Sequence, residues 1–131
     1  MLKHSLRAVL TLFLYSINRF LVKPYCNPES GIISGFLCNH ANDYLGGFLF
    51  CAYLHILLIL GGEKRIHLSS FFDYLFLGIL CAIAWEGIAP IFLVYSTADW
   101  LDCIAYICGT ISYYFIDVNL PSLWGMIKPD E

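Results

Sequence analysis

The chain has 131 residues, of which 60% are hydrophobic, 17% aromatic and only 13% charged, with a formal net charge of -3 and a mean hydropathy of +0.73. Soluble domains carry about 25% charged residues, so this composition points to a membrane protein. The 7 basic residues form no dense run, which excludes a nucleic-acid surface.

A spanning helix needs about 20 mostly apolar residues to cross a hydrocarbon core of about 30 Å. The chain therefore has room for one all-α domain, 1–131, built as a four-helix transmembrane bundle. The apolar segments predict helices at about 5–22, 44–60, 69–88 and 100–117. Continuous apolar runs, in place of in-out alternation, argue against a β-barrel. Pro90 disfavours helix in the residue before it, so the third helix is expected to end or kink near Ile88.

A cleavable signal peptide is the rival reading of the first segment, but no small-residue cleavage pattern follows it. Basic residues favour the cytoplasm. With both termini cytoplasmic, Lys3, Arg7, Lys64, Arg65 and Lys128 lie inside and only Arg19 and Lys23 outside. That topology makes a multi-pass membrane protein whose polar thresholds "NHANDYLGG" (39–47) and "STADWLDCIAY" (96–106) face outward.

In this arrangement Asp43, Glu86 and Asp102, from three helices, arrive at one level, with Asp99 and His40 just above. Gly78, Ala82 and Glu86 recur at helical spacing, as do Asp102, Ala105, Tyr106 and Gly109, and Asp43 with Gly47. Small residues on such stripes allow helices to approach closely, so the acids are expected to face inward. A charge inside a bilayer must be paired, protonated or set against water. Arg19, with Lys23, is the nearest cation expected, and Asn39 adds an amide to the same threshold. Taken singly, Asp43, Asp99 and Asp102 also read as helix N-caps. Asp73 and Asp117 read as borders, and His55 as either a proton relay or a hydrogen-bonded packing residue.

Cys51, Cys81, Cys103 and Cys108 fall in apolar segments and read as packing. Cys26 and Cys38 share the proposed outer loop, where a disulfide could form in an oxidising compartment. Trp85, Trp100 and the tyrosine-rich borders read as interfacial belts. The sequence holds no phosphate loop, nucleophile elbow or Cys/His catalytic spacing.

An Asp opening the second helix, a Glu late in the third and "ADWLDCIAYICG" (98–109) opening the fourth resemble the VanZ-like family of small bacterial membrane proteins, over roughly 39–114. The family's Asp, polar residue and Gly on the last helix match Asp102, Tyr106 and Gly109. Tyr106 replaces the usual Asn, no Gln follows Glu86 in "WEGIAP", and "NDYLGG" lacks the Lys and His common beside the first Asp. The resemblance implies a four-helix protein of the bacterial inner membrane, with some relatives linked to teicoplanin resistance at the cell envelope.

Three functions are expected alternatives. The first is an envelope protein whose outward acidic pocket, formed by Asp43, Glu86, Asp102, Asp99, Arg19, Asn39 and Tyr106, binds a cationic, metal-bridged or amphiphilic ligand. The second is a proton- or cation-coupled small-solute transporter with Glu86 as carrier, which would require a homo-oligomer. The third is an intramembrane metal-dependent hydrolase using Asp43, Glu86 and Asp102. No cofactor is required by any motif. A divalent cation on carboxylates alone would be Mg or Ca sooner than zinc. The expected partners are membrane lipid and an envelope ligand.

Overall fold

The computed structural model describes residues 1–62, 68–93 and 99–119, with the side chain of Asn119 excepted. Lys64, Arg65 and Lys128, which weighed in the expected orientation, lie outside the described residues. The described residues form the helices α1 (Leu2–Ile17), α2 (Ile32–Asn39), α3 (Ala41–Leu60), α4 (Phe71–Ala82), α5 (Ala89–Phe92) and α6 (Trp100–Asn119). Four stretches are long and apolar enough to cross a membrane: Leu2–Tyr25, Ala41–Leu60, Phe71–Phe92 and Trp100–Val118.

The helix bounds depart from the expected ones for identifiable reasons. The first span begins at Leu2 and does not stop at Val22. A π-helical turn, Asn18–Val22, and a 3-10 turn, Lys23–Tyr25, carry it on until Cys26 turns extended. The second span gains a turn at its start, Ala41, and is preceded by the separate short helix α2. The third starts at Phe71, where Ser70 and Asp73 form a reciprocal capping box, so Asp73 is a border as expected. Pro90 does not end this span near Ile88. A π-helical turn, Ile83–Ile88, precedes it, with the Ala89 amide donating to the Ala84 carbonyl, and Pro90 then sits in the first turn of α5, where a missing N–H is tolerated.

The helices pack in the order α1, α3, α6, α4, so α6 lies between α3 and α4. Glycine allows these close approaches. A Cβ at Gly109 would stand 2.1 Å from the Tyr44 carbonyl oxygen, and one at Gly47 2.4 Å from that of Tyr106. On the other flank a Cβ at Gly78 would meet the Thr110 hydroxyl at 2.6 Å. The core gathers Cys51, Ala52, Tyr74, Leu77 and Tyr113, joined by buried His4, Thr11, Asn18 and Thr110. Large apolar side chains such as Leu6, Phe13, Phe76 and Ile104 face outward. Polar groups inside and apolar groups outside is the distribution that a hydrocarbon solvent favours.

Candidate functional site

The N-terminal ends of α3 and α6 lie together and bring the expected acids to one end of the bundle. Tyr106, buried on α6, donates its hydroxyl to the Asp43 carboxylate on α3 at 2.7 Å. One turn earlier on α6, Asp102 meets His40 Nδ1 at 2.6 Å. Glu86, half-buried in the π-helical turn, accepts from the Asp99 amide at 2.9 Å. Asp99 in turn accepts from the Leu101 amide at 2.9 Å, a helix-capping use of its side chain. Asp43, Glu86, Asp99, Asp102 and Tyr106 therefore lie at one end of the bundle.

Two expected members do not join them. Arg19 lies exposed on the first π-helical turn and enters none of the ion pairs among the described residues. Asn39 is exposed at the end of α2, and the neighbouring residues His40 and Asn42 take the inward positions instead. Asn18, also in that π turn, donates its amide to Asn42 Oδ1 at 2.9 Å and to the Leu37 carbonyl at 3.1 Å. Its own Oδ1 is buried and meets no donor among the described residues.

The Asp43–Tyr106 pair opens on a cavity of about 550 Å³ lined also by Tyr15, Asn42, Phe50, Tyr53 and Trp85. Carboxylate and aromatic faces in one hollow suit a cation. A wider hollow, about 1060 Å³, lies beneath α2, but neither an acid nor a base lines it. The ligating atoms of His40, Asp99 and Asp102 lie within 4.8 Å of one another. A metal would thus meet one imidazole and two carboxylates, a set different from the Asp43, Glu86 and Asp102 expected from the sequence.

Cys26 and Cys38 are disulfide-bonded and tie α2 to the end of the first span. Cys51 and Cys81 are buried, as expected of packing residues, but Cys108 is exposed.

A second polar cluster, at the opposite end, was missed. Asp117 is not a border: it accepts from both Lys3 and Arg7 of α1. Beside it His4 Nδ1 and the Tyr113 hydroxyl are 2.5 Å apart, and His55 Nε2 and the Tyr74 hydroxyl 2.7 Å. The two imidazoles stack on each other. The available signal was the helical spacing of Tyr106, Thr110, Tyr113 and Asp117, a polar stripe along the whole of α6.

Comparison with protein-family models, with curated proteins and with solved structures finds no match to this chain.

Proposed function

We propose that the chain is a VanZ-like protein of the bacterial inner membrane that binds an amphiphilic cation of the cell envelope in the Asp43 cavity. The observation that carries this reading is the Asp43–Tyr106 pair set in an aromatic-lined hollow of about 550 Å³. A carboxylate attracts a positive headgroup, and aromatic faces stabilise a cation by about 0.5–2 kcal/mol while tolerating its alkyl substituents. The close contacts at Gly47, Gly78 and Gly109 support binding over transit, because they press α3 and α4 against α6. The Cys26–Cys38 disulfide supports an oxidising, external location for this end.

The test uses dodecyltrimethylammonium against uncharged dodecyl maltoside. The cation should raise the melting temperature of the wild-type protein, and Asp43→Asn and Tyr106→Phe should lose that increment while remaining helical. Equal shifts in Asp43→Asn would sink the ligand reading. For the envelope role, expression of the wild type should raise teicoplanin tolerance and expression of Asp43→Asn should not.

A further inference from the structure

A separate groove lies on the other side of α1, between it and α3, with a volume of about 440 Å³. Its polar end is formed by Lys3 and Arg7, and its walls by Leu6, Leu10, Leu14 and Phe48. Among the described residues Lys3 and Arg7 share the single carboxylate of Asp117, so two cations face one anion there. The Lys3 side chain is 41% exposed and can turn toward a second anion without leaving Asp117 uncompensated, because Arg7 stays on it. From Lys3 to Leu14 the groove follows α1 for roughly 16 Å at about 1.5 Å per residue. That is close to half of a hydrocarbon core of about 30 Å, the depth of one leaflet.

A cationic head with an apolar channel one leaflet deep has the dimensions of a phospholipid. We infer that this groove is a binding site for one anionic phospholipid, its phosphate on Lys3 while Arg7 holds Asp117, and one acyl chain along Leu6, Leu10 and Leu14 against Phe48. A zwitterionic lipid would bring its own ammonium group to Lys3 and lose the charge match. Basic pockets between spanning helices select anionic headgroups by this difference.

The experiment uses the full chain, delipidated in maltoside detergent, with phosphatidylglycerol, phosphatidylcholine or inorganic phosphate added. Phosphatidylglycerol should raise the melting temperature and give one retained lipid in native mass spectrometry, and the other two should do neither. Lys3→Gln should weaken retention several-fold. Leu10→Trp, on the exposed wall, should block the chain channel and remove retention without disturbing the core. The assignment is overturned if phosphatidylcholine or inorganic phosphate matches phosphatidylglycerol, if Leu10→Trp retains lipid like the wild type, or if the groove is filled by a second copy in a dimer that phosphatidylglycerol leaves intact.

Discussion

The imidazole rings of His4 and His55 lie face to face, with centroids 4.4 Å apart and planes inclined by 11°. Each ring also meets a tyrosine hydroxyl, His4 that of Tyr113 and His55 that of Tyr74, so two stacked rings join α1, α3, α6 and α4. A pair held this way should lose more than one hydrogen bond when broken. His4→Phe takes the histidine partner from the buried Tyr113 hydroxyl, for about 1–3 kcal/mol, and His55→Leu should cost less, because the Tyr74 hydroxyl also donates to the Leu68 carbonyl. The double variant should depart from additivity by at least about 0.5 kcal/mol in detergent unfolding. Simple additivity would mean that the stacking contributes nothing of its own.

Asp117 supports two cations at the α1–α6 contact. Asp117→Asn should therefore destabilise by about 3 kcal/mol, the lower range for leaving a buried partner uncompensated, since Arg7 is only 12% exposed. Replacing Arg7 by Met together with Asp117 by Leu should recover a large part of that loss. Equal instability of the single and double variants would show that packing, not charge, sets the effect.

Gly109 sets the distance between α3 and α6. A methyl group there meets the Tyr44 backbone at 2.1 Å, and backbone cannot turn aside as a side chain can. Gly109→Ala should lower stability by at least about 1–3 kcal/mol, the usual cost of overpacking. Gly87→Ala, whose nearest neighbour would be 4.0 Å away, should be close to neutral in the same melting assay. The two substitutions behaving alike would contradict the close packing.

Cys26 and Cys38 close a short loop, and removing that crosslink should cost about 3 kcal/mol in the chain-entropy view. Neither should react with an impermeant maleimide until an impermeant reductant is added from the same side. Labelling from the cytoplasmic side would reverse the proposed orientation.

The spans and the acid-lined end were legible because they rest on local periodicity. Apolar runs fix the four helices, and the stripes Gly78–Ala82 and Ala105–Gly109 announce the faces that pack closely. What was hidden depends on partners from distant segments. Lys3, His4 and Asp117 each look like polar ends of apolar helices, and only the fold shows Lys3 bonded to Asp117 and His4 to Tyr113. Arg19 and Asn39 were misplaced for different reasons: Arg19 lies inside a π turn that no residue in "NRFLV" signals, and Asn39 ends the separate helix α2, which local periodicity did not divide from the second span.

Those two π-helical turns, Asn18–Val22 and Ile83–Ile88, also mark where the chain tolerates a change in length. A π turn accommodates about one residue more than the α-helix around it. Deleting one residue inside either turn would leave the helix on both sides in phase, whereas a deletion elsewhere in a span would rotate everything beyond it by about 100°. Single-residue gaps in descendants of this chain should therefore gather at these two places, and a lineage that closed the second would keep its bundle while re-aiming Glu86.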